Sequence, residues 1–190
     1  IRYSSDLAKS IVSIPGMQER TVILYTFSKK YAMTGWRLGA SIGPENVIKE
    51  MARFNINDES CTNHFIQFAL SSVLEQKCVD ADKILKTLKS RRDICIEKLN
   101  LINGLEVPRP ESTFYLFPNV TKLMENKGYD SLENFRKDVL LHTGVSFCTR
   151  EHFGTPLEKE EQKYIRLAYS GISRSDISIG LDNLKKWVES

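Results

Sequence analysis

The feature that most constrains this chain is a short apolar run followed at once by a lysine-containing loop. Residues 22–25 read Val-Ile-Leu-Tyr, a continuous run rich in β-forming side chains that predicts a buried strand. Residues 28–39 then read Ser-Lys-Lys-Tyr-Ala-Met-Thr-Gly-Trp-Arg-Leu-Gly. We expect Gly35 and Gly39, which bracket Arg37, to allow close backbone approach or a positive φ. An isolated lysine is usually a solvated surface residue, but the joint pattern favours a functional loop.

Residues 28–39 closely resemble the lysine-loop signature of the class I/II aminotransferases, the aspartate aminotransferase superfamily of fold type I. The resemblance implies pyridoxal 5'-phosphate (PLP) as cofactor and Lys29 as the catalytic residue that bonds to its aldehyde. It also implies that Arg37 binds the cofactor's phosphate, with Thr26 and Ser28 as further phosphate contacts. This assignment suits the chemistry, because a guanidinium can bind a phosphate dianion through two parallel charge-assisted hydrogen bonds.

A second resemblance to the same family lies near the C-terminus. Residues 164–169 read Tyr-Ile-Arg-Leu-Ala-Tyr, and residues 111–118 read Glu-Ser-Thr-Phe-Tyr-Leu-Phe-Pro. In the family, an arginine in the first of these segments binds the α-carboxylate of the substrate, so the resemblance implies a substrate-binding role for Arg166. The match is looser here, since Ser112 and Thr113 stand where many relatives have small residues such as Gly-Ala.

Composition excludes several other classes of function. The net charge of +3 is too small and too evenly spread to indicate nucleic-acid binding. The densest basic cluster consists of Lys86, Lys89, Arg91 and Arg92. We predict that this cluster is the solvated face of a helix. The three histidines have no metal-ligand spacing, and no metal site is expected. No apolar stretch approaches the ~20 residues needed to cross a bilayer.

The cysteines favour a reducing compartment. They are widely scattered and form no Cys-x-x-Cys pair; they are Cys61, Cys78, Cys95 and Cys148. Free thiols are the simplest interpretation, so we expect a soluble, cytoplasmic protein.

Apolar periodicity predicts alternating helices and strands, and hence an α/β fold. Strands are predicted at residues 38–42, 113–117, 145–148 and 164–168, and helices after Pro44, around 65–74, from about Val79 to Leu101, around 132–139 and after Ser173. Asn103 and Gly104 are expected to end the long helix. The resemblance implies the C-terminal part of a type I PLP-transferase fold, comprising the end of a large PLP-binding domain (1–77), an interdomain helix (78–103) and a small α/β domain (104–190).

The predicted activity is transfer of an amino group between an amino acid and a 2-oxo acid. Because the family's other cofactor-binding residues precede the equivalent of Ile1, we expect an N-terminally truncated piece that alone is inactive and does not hold PLP. The full-length protein is expected to form a homodimer. Two alternatives stay open: a PLP-dependent β-lyase or synthase of the same fold, and a non-catalytic fragment.

Overall fold

The computed structural model describes residues 1–4, 9–75 and 79–190, which form two compact units. Unit 1 comprises Ile1 and the described residues from Tyr3 to Ile84; unit 2 comprises Arg2 and the residues from Leu85 to Ser190. The domain boundaries drawn from the sequence stay predictions, and the first of them lies, with Cys78, outside the described residues. None of the described helices combines the length and the apolar character needed to cross a membrane.

Unit 1 contains a two-stranded antiparallel sheet and two helices. Its elements are β1 (Ile23–Thr26), β2 (Gly39–Ile42), α1 (Glu45–Asp58) and α2 (His64–Leu74). The sheet register pairs Ile23 with Ile42 and Thr26 with Gly39. Position 39 needs a glycine, because a Cβ there would lie 2.9 Å from the carbonyl oxygen of Tyr25. Both strands and both helices were predicted to within a few residues.

The prediction that the first strand is buried was wrong. Leu24 in β1 is 76% exposed, and Ile42 opposite its start is 57% exposed. The buried cluster of unit 1 lies instead beyond the end of the sheet and is formed by Phe27, Leu38, Ile66 and Leu70. Apolar side chains are buried only where a second layer packs on them, and α2 packs at the loop end of the sheet through Ile66 and Leu70.

Unit 2 combines helices with a three-stranded antiparallel sheet of order β3-β5-β4. The elements are α3 (Val79–Leu99, which the division after Ile84 crosses), β3 (Tyr115–Leu116), α4 (Thr121–Asn126), α5 (Leu132–Thr143), β4 (Cys148–Thr149), β5 (Ile165–Ala168) and α6 (Arg174–Glu189). The strand predicted at 145–148 is thus displaced towards Thr149. This places Cys148 directly opposite Arg166 in the register of β4 and β5.

The apolar faces of α5 and α6 form much of the core of unit 2, as their spacing predicts. Their buried residues include Leu132, Phe135, Val139, Ile177, Leu181 and Leu184. Ser131 and Ser173 cap the two helices, each accepting a hydrogen bond from the backbone N–H three residues later. The sequence Ser173-x-x-Asp176 is typical of a capping box and predicts an N-cap at Ser173, and the structure confirms that cap.

The end of α3 differs from the prediction. The helix stops at Leu99, and turns follow, so Gly104 is not its C-cap. Glycine is needed at 104 for another reason: φ is +84°, and a Cβ would lie 2.9 Å from backbone atoms of Leu123. The tight contact is therefore with α4.

The basic cluster on α3 is only partly solvated. Lys86 and Lys89 are exposed, as expected, but Arg92 is 4% exposed. Its Nε and Nη2 atoms donate to Asp93 Oδ1 at 2.9 and 2.8 Å, and its Nη1 atom donates to the Pro110 carbonyl at 3.0 Å. Because a guanidinium with such acceptors can be buried, the prediction of a solvated face was wrong for Arg92.

Candidate functional site

The lysine loop joins β1 to β2 and is closed at its base. The Phe27 N–H donates to the Leu38 carbonyl at 3.4 Å, and both side chains are buried in the cluster of unit 1. Lys29 follows this base by two residues, and Arg37 precedes it by one. The antiparallel pairing of the strands therefore brings the amine-bearing and guanidinium-bearing ends of the loop to the same end of the sheet.

Hydrogen bonds inside the loop fold it back on itself. The Tyr31 N–H donates to the Phe27 carbonyl at 3.3 Å, and the Met33 N–H donates to the Ser28 carbonyl at 2.9 Å. The side chains of Tyr31 and Met33 pack against the buried cluster, and a single 3₁₀ turn follows at Thr34–Trp36. The apolar side chains thus anchor the loop, whereas the Lys29 side chain stays exposed.

Arg37 is exposed and held by the backbone of its own loop. Its Nη1 atom donates to the Thr34 carbonyl at 2.8 Å. Its backbone is left-handed, with φ +55° and ψ +48°. This conformation costs a non-glycine residue about 1–2 kcal/mol. Such strain is common at functional positions, where the surrounding structure enforces it.

The two hydroxyl residues flank the end of β1. Thr26 Oγ1 accepts a hydrogen bond from the Ser28 backbone N–H at 3.3 Å, and Ser28 is 4% exposed. All four candidates from this part of the sequence, Thr26, Ser28, Lys29 and Arg37, therefore belong to one loop and its adjoining strand end. The expectation for Gly35 was wrong, because its φ is not positive and a Cβ there would meet nothing within 4 Å among the described residues.

These groups are chemically suited to a small aldehyde that carries a phosphate. The Lys29 amine is open to solvent, as a covalent bond to an aldehyde requires. Arg37 uses one nitrogen for Thr34 and has further N–H donors of the kind that bind phosphate. Thr26 offers a hydroxyl on the exposed side of the strand end.

Arg166 lies in unit 2, at the centre of the three-stranded sheet. Its Cζ atom lies 4.6 Å from the ring centroid of Tyr115 and 4.6 Å from that of Phe153. Its Nη2 atom lies 3.6 Å from Sγ of Cys148. Its Nε atom is buried and has no hydrogen-bond partner among the described residues. The guanidinium is therefore positioned by aromatic rings, with one donor left without an acceptor.

The segment that carries Phe153 is tied down on both sides. At its start, Thr149 Oγ1 lies 2.7 Å from His152 Nδ1, which also accepts from the Thr149 N–H. Arg150 pairs with Glu160 at 2.9 Å and donates to the Gly154 carbonyl at 3.1 Å. Phe153 is thus held above Arg166 by a braced loop.

Sequence reasoning did not find the contacts of Tyr115, Cys148 and Phe153 with Arg166. Tyr115 lies in residues 111–118, which resemble the family, but no local pattern links it, Cys148 or Phe153 to the arginine. Their signal is the sheet register, in which Cys148 is the direct partner of Arg166 and Tyr115 pairs with Ala168 two residues further on. The sequence alone does not give this register, because the register depends on which strands pair.

Comparison with known proteins gives consistent matches along the chain. The family model described as "Aminotransferase class I and II" matches residues 3–184. An aspartate aminotransferase of Musicola paradisiaca (strain Ech703) is 34% identical over 171 residues, which cover 90% of this chain and 41% of that protein.

Two solved structures match almost the whole chain. An aromatic aminotransferase from Pyrococcus horikoshii OT3 has a TM-score of 0.85 at 27% identity, covering 99% of this chain and 48% of the other. The aspartate aminotransferase from Rhizobium meliloti has a TM-score of 0.86 at 25% identity, covering 100% and 47%. The chain thus spans less than half the length of each of these three relatives.

Proposed function

Since the chain belongs to the class I and II aminotransferase family, we propose that it is part of a PLP-dependent enzyme that moves an amino group between an amino acid and a 2-oxo acid. One observation carries the proposal. Lys29 and Arg37 lie at the two ends of a single folded loop, next to the hydrogen bond that closes its base. A phosphate-bearing aldehyde needs an amine and a guanidinium in such a common location.

Each site residue has a distinct role in this proposal. PLP, when bound, supplies the aldehyde that bonds to an amine and the ring that accepts electrons from the substrate Cα. Lys29 Nζ holds the aldehyde carbon and, once released, takes the proton from the substrate Cα. Arg37, Thr26 and Ser28 anchor the phosphate, and Arg166 orients the substrate through its carboxylate.

The proposal leaves the substrate side chain open. The names of the relatives include both aspartate and aromatic aminotransferases, and the chain spans less than half of each. A homodimer of the full-length protein and a cytoplasmic location stay predictions. The β-lyase alternative is separated by an assay, because a lyase releases pyruvate and ammonia whereas a transaminase exchanges an amino acid with a 2-oxo acid.

The proposal is tested by covalent labelling of the full-length protein with PLP and borohydride, followed by peptide mapping. We expect the label on Lys29 and not on its neighbour Lys30, whose Nζ lies over the Tyr31 ring. Lys29→Ala should lower transamination by roughly a thousandfold or more, and the matched control Lys30→Ala should change it little.

Two results would overturn the proposal: labelling at Lys30 instead of Lys29, or full transamination by the Lys29→Ala variant. The 190-residue chain alone is expected to remain unlabelled, because the resemblance assigns other cofactor contacts to preceding residues. Stoichiometric labelling of the 190-residue chain would contradict only that expectation.

A further inference from the structure

We propose that Tyr115 and Phe153 are positioning residues that hold the Arg166 guanidinium ready for a carboxylate, and that the Cys148 thiol is the weak acceptor which the carboxylate replaces. The inference rests on the proposed function, in which Arg166 binds the substrate carboxylate. It adds three residues that act through the arginine.

The Arg166 guanidinium is attracted to two aromatic rings. The Arg166 Cζ atom lies 4.6 Å from each of two ring centroids, well within the distance at which a guanidinium is attracted to an aromatic face. The ring faces that meet the guanidinium carry no oxygen or nitrogen acceptor. They can therefore fix the position of the guanidinium without occupying its N–H groups.

The N–H donors of Arg166 are not all satisfied within the described part of the chain. Nε and Nη2 share one edge of the guanidinium, where two parallel N–H bonds match the two oxygens of a carboxylate. In Arg166, Nη2 reaches only the Cys148 sulfur, at 3.6 Å, and Nε has no acceptor in the described part of the chain. A neutral thiol is a weak acceptor, and a buried donor without a partner is costly. This edge is therefore suited to an incoming anion.

A second arginine in the same unit shows the contrast. The same edge of Arg92 donates to the Asp93 carboxylate through Nε and Nη2, at 2.9 and 2.8 Å. Arg92 thus has from its own chain the acceptor that Nε of Arg166 lacks among the described residues. We interpret Arg92 as structural and the Arg166 edge as the one that lacks a carboxylate from its own chain among the described residues.

Both rings are held in place by the structure around them. Tyr115 is half-buried in β3, beside β5. Phe153 is 47% exposed, but the ion pair between Arg150 and Glu160 braces its loop. Because Phe153 is largely outside the core, a smaller side chain there should not unfold unit 2. Phe153→Leu is therefore the most decisive variant.

The experiment follows the Arg166 Nε–H resonance of the ¹⁵N-labelled 190-residue chain by NMR. The resonance is assigned by its loss in Arg166→Lys. Sodium acetate is then titrated at constant ionic strength, with sodium chloride making up the balance. We expect a saturable shift of this resonance with acetate and none with chloride alone.

The variants separate the roles of the three residues. Phe153→Leu and Tyr115→Leu should each weaken acetate binding about fivefold, whereas Tyr115→Phe keeps the ring and should match the parent. Cys148→Ala should bind acetate at least as tightly as the parent, because the competing acceptor is gone. Phe65→Leu, which removes an exposed ring from α2 in unit 1, is the control and should leave acetate binding unchanged.

Three outcomes overturn the proposal: no saturable shift in the parent chain, unchanged binding in folded Phe153→Leu, or loss of acetate binding in Cys148→Ala. If Tyr115→Leu does not fold, the Phe153→Leu and Tyr115→Phe pair decides. No PLP is present, so failure of Lys29 labelling and failure of this inference are separate results.

Discussion

Two residues of the lysine loop that are not glycine have a left-handed backbone: Ala32, with φ +52°, and Arg37, with φ +55°. That conformation costs each residue about 1–2 kcal/mol. The loop tolerates this cost because its apolar side chains pack on the buried cluster and its base is closed by a backbone hydrogen bond. The strain lies on both sides of the 3₁₀ turn, within the segment proposed to hold the phosphate.

Ala32→Gly should therefore stabilise unit 1. Glycine removes the left-handed penalty and adds a smaller entropic cost, so the net gain is about 0.5–1 kcal/mol. The same substitution at Ala52, an exposed position in α1, should destabilise by about 1 kcal/mol. Urea denaturation in a Trp187→Phe background, where Trp36 is the fluorescent reporter, gives both values. If both substitutions changed the free energy of unfolding in the same direction, the backbone strain at Ala32 would not be supported.

The described cysteines should differ sharply in reactivity. Burial raises the pKa of the Cys95 thiol to about 12, whereas Cys61 is exposed. Since the thiolate is the nucleophile, iodoacetamide at pH 8 should modify Cys61 at least ~100-fold faster than Cys95. Peptide mass spectrometry over time measures both rates, and unfolding in concentrated guanidinium chloride should make them similar. Fast modification of Cys95 in the native chain would contradict its burial.

The same pKa shift gives a direction for alkaline stability. The folded pKa of Cys95 lies above the value of 9.0 for a free thiol, so the folded state binds the proton more tightly. The stability that this proton contributes is present below pH 9 and is lost as the pH rises towards about 12. With Cys95→Val, the free energy of unfolding should fall less steeply as the pH rises through that range. An unchanged pH dependence would contradict the assignment.

Among the helices, α3 carries a buried and ion-paired arginine within a basic cluster that the sequence predicts to be solvated. Arg92 is buried and donates to Asp93 and Pro110. Arg92→Leu should destabilise unit 2 by about 1–3 kcal/mol, because it removes three charge-assisted hydrogen bonds to the half-buried Asp93 and Pro110. The control Lys89→Leu, at an exposed position of the same helix, should change stability by about 0.5 kcal/mol or less. Thermal denaturation in a Trp36→Phe background, where Trp187 is the fluorescent reporter, measures both changes, and equal effects would contradict a structural role.

The sequence was informative where local patterns determine the structure. The faces of α5 and α6 and the Ser173 cap follow from helical spacing and hydroxyl chemistry. The burial of β1, the residues around Arg166 and the pairing of Arg92 did not follow, because each depends on which distant segment lies opposite. Arg92 meets Pro110, and Arg166 meets Cys148, across 18 residues of sequence in both cases.

At the scale of the whole molecule, the buried core is unevenly divided. Of the 22 buried hydrophobic side chains described, four belong to unit 1 and 18 to unit 2. The two tryptophans of the chain, Trp36 and Trp187, lie one in each unit. Because buried apolar area is the main source of stability, we expect unit 1 to unfold at a lower urea concentration than unit 2.

Single-tryptophan variants test this order. Trp187→Phe leaves Trp36 as the reporter for unit 1, and Trp36→Phe leaves Trp187 as the reporter for unit 2. Two separated transitions, with the Trp36 transition first, are the expected result. Coincident transitions would show that the chain unfolds as one cooperative unit.

The family predicted from residues 28–39 and 164–169 is confirmed by the family match, and the predicted α/β fold is confirmed by the solved structures. The roles of the five site residues stay predictions. The lysine loop could be recognised because its chemistry is concentrated in twelve consecutive residues. The surroundings of Arg166 come from three separate strands or loops and required the fold.

The exposed side chains of β1 and β2 have a practical consequence for handling this chain. Leu24 and Ile42 present apolar surface on a ribbon whose outer edges have no strand partner within the described residues. Such edges recruit strands from other molecules. Purified samples should therefore lose monomer as they are concentrated, before any unfolding, and dilution or a mild non-ionic detergent should restore it.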